Sequence, residues 1–275
     1  YKYDAKQVTD FYNLDAEREW QRLVSSPEEE VKLQVHNHYL QKYLDKEMNV
    51  LEIGAGPGRF TQTLHDIGCQ ILVSDISPVQ LQANRDKAKE LGFDTSVTDW
   101  QTVDVSNLGQ FTDRSFGAIV AYGGPLSYVF DQLDQALSEC HRVLGPDGML
   151  IASVMSLWGT LHRYFASFPE SDPTPIVEHG DLTADTYPGT THFCHLFRAQ
   201  ELREAMTRNG FDVITLSASS SLSPAHNEIT EMMRVNPERW QSLIDMEIQA
   251  SASPGMVEAG THMIVVARKK GGCRR

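Results

Sequence analysis

Residues 50–60 read Val-Leu-Glu-Ile-Gly-Ala-Gly-Pro-Gly-Arg-Phe, and this stretch constrains the fold more than any other. The apolar run reads as a buried strand that stops at Gly54. Gly54, Gly56 and Gly58 then alternate, so a ligand can lie against bare backbone without meeting a Cβ. A helix follows at once. Between Val50 and Val154 further apolar strands alternate with helical stretches at 60–67, 78–91 and 132–144, the pattern of a parallel sheet with helices on both faces. Upstream, 17–44 repeats apolar residues at helical spacing and breaks at Ser25-Ser26-Pro27, where Ser26 can cap a second helix and Pro27 can open it. Glu28 to Glu30 complement its dipole.

The rest of the constellation lies downstream. Residues 71–77 (Ile-Leu-Val-Ser-Asp-Ile-Ser) form a second strand ending in Asp75, where a carboxylate can accept both hydroxyls of a ribose. Residues 102–105 close a third short strand, and 116–122 form a fourth that opens onto Gly123-Gly124-Pro125. In a dinucleotide-binding turn a third glycine follows the second by three residues and the helix N-terminus faces a pyrophosphate. Here that position is Arg59, and Glu52 precedes the first glycine by two residues. A carboxylate there would repel a pyrophosphate and suit a ligand carrying an ammonium and a sulfonium.

With these residues in place the chain resembles the class I S-adenosylmethionine-dependent methyltransferases, closely over about 40–156 and more loosely outside. Arg142 to Gly148 looks like the helix end and turn that lead into that family's fifth strand. The resemblance implies an α/β, Rossmann-like fold: a seven-stranded, mostly parallel sheet in the order 3-2-1-4-5-7-6, only the seventh strand antiparallel. A helical preface and lid insertions would decorate it, and S-adenosyl-L-methionine would be the cofactor. Residues 1–44 are then a helical cap and 45–270 the methyltransferase domain, with substrate-side insertions at about 156–198 and 222–256.

The same resemblance implies a site. Glu52, Gly54, Gly56 and Gly58 would pass the methionyl end, Asp75 would take the ribose, Ile76 would cover one adenine face, and Asp104 with Val105 would hold the adenine amine and ring. Ala121 and Tyr122 would lie beneath the sulfonium. Strand-end and loop roles are the competing readings of Asp75 and Asp104. Tyr12 could close over the methyl and Arg22 could meet the methionyl carboxylate, with packing and surface pairing as alternatives. Gly117 stands where the family often has an Asp after the Phe of the fourth strand, which questions a helix contact rather than catalysis.

The residues after the fourth strand bear on the methyl acceptor. Methylators of exocyclic base amines carry Asp/Asn-Pro-Pro-aromatic there, and this chain has Tyr122-Gly123-Gly124-Pro125. Metal-dependent catechol methylation would need acidic ligands near this point, and base C5 methylation a cysteine in a Pro-Cys or Thr-Cys context. Neither is present; no metal is expected. Gly-Pro-Leu after the fourth strand, Glu19-Trp20-Gln21-Arg22-Leu23 and a late Thr261-His262 look like a broad group of small-molecule methyltransferases.

Beyond the fifth strand (149–155), residues 156–195 are rich in aromatics, His and Pro, with helix only near 157–168, and read as a lid. Its aromatics (Trp158, Tyr164, Phe165, Phe168, Tyr187, Phe193) would wall an apolar ligand. Methyl transfer needs mainly proximity and in-line geometry; a general base adds about 10²–10⁴-fold when the acceptor must lose a proton. Among the clustered histidines, His195 is the candidate, a satisfied structural histidine being the competing reading. A helix at 199–209, a strand at 211–216, a helical insertion at 224–250 and a last strand at 262–267 complete the chain.

With 24 basic against 37 acidic residues the net charge is −13, which works against unaided binding to a phosphate backbone. The cluster Arg268-Lys269-Lys270 with Arg274-Arg275 reads as a solvated end. No stretch of about eighteen apolar residues is present, and Cys69, Cys140, Cys194 and Cys273 form no Cys-x-x-Cys pair. The expectation is a cytoplasmic enzyme with a small-molecule acceptor and neither nucleic acid nor membrane as partner, its oligomeric state open. A protein or RNA methyltransferase working with a partner, and a non-catalytic S-adenosylmethionine-binding module, are the alternatives.

Overall fold

The computed structural model describes residues 1–166, 172–224 and 226–271; Phe168, Cys273, Arg274 and Arg275 lie outside these. Seven strands form one sheet: β1 (Asn49–Ile53), β2 (Gln70–Asp75), β3 (Val97–Thr102), β4 (Phe116–Ala121), β5 (Leu144–Met155), β8 (Phe211–Ala218) and β9 (His262–Lys269). Their order is β3-β2-β1-β4-β5-β9-β8, and β9 alone runs antiparallel, to both β5 and β8. This is the expected topology.

β1 is central, with Leu51 paired to Leu72 on one side and Ile119 on the other. Because successive side chains alternate across a sheet, Leu51 and Ile53 enter one core with Ile119, Ala121 and Leu150. Helices α7 (Leu133–Val143) and α10 (Ala199–Arg208) cover it through Leu137, Cys140, Leu202 and Met206. Val50, Ala118 and Ile151 face the other core, beneath α3 (Pro27–Tyr43), α4 (Arg59–Ile67) and α12 (Pro237–Ser251). Ser26 caps α3 by accepting from the Glu29 N–H, with Pro27 in its first turn.

The third strand occupies 97–102 and ends at Thr102, the first of the four residues expected to close it. It is the sheet's edge, with Thr98, Asp99 and Thr102 exposed, so its polar residues give no apolar run to mark where it begins. Val103 and Val105 are buried in the turn beyond it. A further unexpected element is α1 (Ala5–Tyr12), capped by Asp4 and followed by α2 (Ala16–Arg22). In the lid segment lie α8 (Leu157–Arg163), α9 (Thr174–His179) and a small antiparallel pair, β6 (Asp181–Leu182) with β7 (Cys194–His195). The helical insertion is divided between α11 (Asn227–Arg234) and α12. No helix among the described residues is long and apolar enough to cross a membrane.

Candidate active site

The C-terminal edge of the sheet holds two adjoining cavities. The smaller, about 110 Å³, lies against the turn after β1 and the ends of β2 and β4, and is lined by Gly54, Gly56, Asp75, Ile76, Val103, Val105 and Tyr122. Tyr3, Val8 and Tyr12 close it from the N-terminal segment.

The three glycines do different jobs. All have positive φ (67°, 53° and 104°). A Cβ on Gly54 would sit 2.5 Å from Pro125 Cγ, and one on Gly58 would stand 3.0 Å from Asn84 Nδ2, so these two serve close packing. Only Gly56 leaves open space, the nearest atom being Gln80 Oε1 at 3.9 Å. That carbonyl oxygen is buried without a partner. It is an acceptor the sequence did not single out, on a side chain that lines the same cavity.

Asp75 accepts from the Gly56 N–H through Oδ2 and from the Ser77 N–H through Oδ1, both at 2.8 Å. Burial pushes its carboxyl up to about 6 against the pull of these N–H groups, leaving it ionised at neutral pH. A carboxylate has further lone pairs for a polyol beyond two N–H bonds. Ile76, Val103 and Val105 supply apolar surface beside it.

Four expected contacts are not made, Gly58 being the first, since it lines neither cavity. Glu52 does not line either cavity: it is buried beneath the turn, where its Oε2 accepts from Thr61 Oγ1 of α4 at 2.7 Å. Burial pushes its carboxyl up to about 8, so it presents no carboxylate to a cationic ligand. The alternation of β1 explains this, since Glu52 shares the face of Val50, the face α4 covers. Asp104 is also absent from the cavity wall; its carboxylate accepts from Tyr3 Oη at 2.7 Å and from the Ser106 N–H and hydroxyl, both at 2.8 Å. Ala121 is wholly buried in the core.

The larger cavity, about 510 Å³, lies beyond Gly123. Tyr12, Glu19, Arg22, Phe60, Gly123 and Tyr128 border both cavities, so this is where the two meet. Arg22 is anchored by its Nε to Glu19 at 2.8 Å. Lid residues Leu161, Ile176, Leu182, Tyr187 and Leu196 form apolar wall. Of the expected aromatics Tyr164 and Tyr187 line it, whereas Trp158, Phe165 and Phe193 do not. Trp158 and Phe165 are 44% and 72% exposed, so they leave the cavity open rather than filling it.

Charge is confined to one side, where Arg18, Glu19, Arg22, Glu29 and Lys32 from α2 and α3 meet Arg163 from α8. The remaining polar lining is neutral at pH 7. Burial pushes His36 down to about 4 despite its bond to the Lys32 carbonyl, and His262 well below its ordinary value, Arg22, His36 and Lys32 adding to the effect. His192 is lowered by burial as well. Cys194 also borders the cavity, but burial raises its thiol to about 12, which removes it as a nucleophile.

His195 is not the base. It lines neither cavity, and both ring nitrogens are engaged, Nδ1 to Asp181 Oδ1 at 2.6 Å and Nε2 to Glu201 Oε1 at 2.8 Å. Burial opposes its charge, but the two carboxylates win and carry it up to about 9. It is a charged clamp joining β6, β7 and α10. The histidine at the cavity is His192, whose Nε2 lies 2.7 Å from Tyr128 Oη while its ring stacks on Phe11. No cluster of three or more potential metal ligands occurs among the described residues.

Residues 51–152 match the family model described as a methyltransferase domain. No curated protein matches the sequence. Among solved structures, a methyltransferase of Methanosarcina mazei described as S-adenosylmethionine-dependent superposes with a TM-score of 0.60 at 19% identity, over 85% of this chain and 98% of the other. A putative methyltransferase of Haloferax volcanii, solved in complex with the activator Trm112, gives 0.58 at 15% identity, covering 90% and 93%. The [4+2]-cyclase SpnF gives 0.56 at 21% identity, covering 86% and 81%. At these identities the likeness concerns the fold. Joined to the matched domain and the glycine turn, it gives the chain a methyltransferase domain at residues 51–152, in the fold of the S-adenosylmethionine-dependent methyltransferases.

Proposed function

We propose that the protein is a class I S-adenosylmethionine-dependent methyltransferase that transfers the methyl group to an O, N or S atom of a small molecule held in the cavity of about 510 Å³. The observation that carries this reading is that cavity itself: it opens onto the smaller one at Tyr12, Arg22 and Gly123, is walled by the lid, and falls within the roughly 300–1,000 Å³ of small-molecule sites. An apolar wall facing neutral histidines suits an uncharged, partly apolar acceptor.

On this reading Asp75 takes the ribose, Ile76 and Val105 enclose the adenine, Gly56 admits the chain at its backbone, and Gln80 offers its unpartnered oxygen. Arg22 meets the methionyl carboxylate, Tyr122 floors the methionyl end, and Tyr12 stands over the methyl. Bound cofactor supplies a sulfonium whose methyl is already strongly electrophilic. The protein then has to align the acceptor and exclude water. Tyr3, which closes the smaller cavity and holds Asp104, must move aside for a ligand that fills this end. Residues 1–44 act as a cap over a domain running to about 270. An acceptor on a protein or RNA is the second reading, and the Haloferax complex with an activator makes it worth testing.

The test incubates the enzyme with methyl-labelled S-adenosylmethionine and either a small-metabolite extract or total cell protein and RNA. Label gained by the metabolite fraction is the expected result. Label confined to protein or RNA would replace the first reading by the second.

A further inference from the structure

The chain of hydrogen bonds Tyr12 Oη, Tyr128 Oη, His192 Nε2 begins at the junction of the two cavities and ends at a part-buried histidine beside the exposed Thr191. Tyr12 borders both cavities, His192 borders the larger one, and all three residues also line a crevice of about 10 Å³ with Gln7 and the exposed Asp4 and Thr191. The rings are fixed: Tyr12 and Tyr128 meet edge to face at 83°, and His192 lies 12° from parallel on Phe11. A row of proton-bearing groups that runs from the junction to a histidine next to exposed residues can carry a proton away from the reacting atoms.

Resting on the proposed methyl transfer, we infer that Tyr12, Tyr128 and His192 form a proton relay that removes a proton from the acceptor, which is therefore a hydroxyl, thiol or N–H compound. The acceptor's proton passes to Tyr12 Oη as the Tyr12 proton moves to Tyr128 and the Tyr128 proton to His192 Nε2. The electron pair left on the acceptor atom forms the bond to the methyl carbon, and the carbon–sulfur pair stays on sulfur. His192, now a cation, releases its proton to water at the crevice. Neither phenol is stable as a phenolate, because burial raises both Tyr12 and Tyr128 above the ordinary tyrosine value, so the protons move together. His192 is neutral and free to accept, since burial lowers it. The charged and titratable groups around the relay are Glu19 and Arg22 from α2, Cys194 from β7, His262 from β9 and Asp4 at the crevice.

The relay requires His192 with Nδ1 protonated and Nε2 bare. Nitrogen-15 shifts of the labelled, cofactor-free enzyme read this directly, and a protonated Nε2 would overturn the inference whatever the activity. Turnover is followed with methyl-labelled S-adenosylmethionine and the extract fraction that accepts label. In the parent, kcat falls as pH drops below the His192 value and slows several-fold in heavy water. In Tyr128→Phe and His192→Gln, kcat drops at least 30-fold, the acid limb and isotope effect disappear, and the Kd for S-adenosylmethionine stays within twofold. Free imidazole restores part of the rate to His192→Ala, which also covers the case in which Tyr128→Phe does not fold. A retained acid limb in the folded variants overturns the relay alone. An enzyme that binds no S-adenosylmethionine, or labels no fraction, overturns the proposed function and this inference with it.

Discussion

The two cavities meet at one wall but are built on opposite plans. The smaller is shaped mainly by backbone and strand ends: the turn 54–56, the end of β2 at Asp75, and two valines just past β3. The larger is shaped by side chains from the N-terminal helices, the lid and the ends of β5 and β9, elements far apart in the chain. Backbone walls are stiff, and a side chain added at Gly56 would project into the space the ligand needs, whereas side-chain walls can be exchanged without moving the sheet. A substitution at the first should therefore act through the cofactor, and one at the second through the acceptor or the lid.

The largest effect expected is that of Gly56→Val. Its side chain would enter the open space at the one glycine of 54, 56 and 58 that borders it, in a left-handed conformation that β-branched residues avoid. Affinity for S-adenosylmethionine should fall at least 100-fold, about 3 kcal/mol, as calorimetry would read. Near-parental binding would place the cofactor elsewhere and dissolve the contrast between the two walls.

Asp75→Ala should cost about 1.5–3 kcal/mol of cofactor binding, the range for charge-assisted hydrogen bonds. Because the carboxyl titrates at about 6, affinity of the parent should also weaken as pH falls through 6, and the variant should lack that limb. Titrations at pH 5 to 8 would sharpen the assignment or refute it.

His195→Gln probes the lid side. The folded pKa of about 9 lies above the ordinary value of about 6.5. A raised histidine gives stability that is complete below the lower value and is lost as pH rises through the upper one. The variant should lose about 2 kcal/mol of stability at pH 6, and less at pH 9, with unchanged affinity for S-adenosylmethionine. Denaturant unfolding at the two pH values checks it; lost turnover at full stability would return His195 to catalysis.

The smallest effect belongs to Tyr3→Phe. Losing the bond to Asp104 loosens the N-terminal cover of the smaller cavity. Cofactor affinity should rise by a few-fold, within about 1 kcal/mol, and an unchanged or weaker Kd would mean that Tyr3 packs with the ligand instead of competing with it.

The readings that held and those that failed differ in how far apart their residues lie. The turn after β1, the cap at Ser26 and the acid ending β2 depend on neighbours a few residues away, and all stand as expected. Glu52 turns to Thr61 of α4 rather than to the ligand, as its parity with Val50 on β1 requires, and its closeness to the glycine turn in the chain does not bring it to the cavity. For His192 and His195 no local signal existed. Three residues apart in one segment, they are separated by the pairing of β6 with β7 and the approach of α10, which turn His195 onto Asp181 and Glu201.

The sequence by itself determined the α/β alternation, the sheet order implied by its family resemblance, and the backbone wall of the cofactor site, because glycine spacing and apolar runs act through local geometry and the period of the strand. Only the tertiary structure decided which acids face inward, how α1 closes the smaller cavity, and which histidine reaches the larger one. Those outcomes depend on contacts such as Tyr3 with Asp104 and Tyr12 with Tyr128, each about a hundred residues apart or more, where a side chain's surroundings are set by packing and desolvation rather than by its neighbours in the chain.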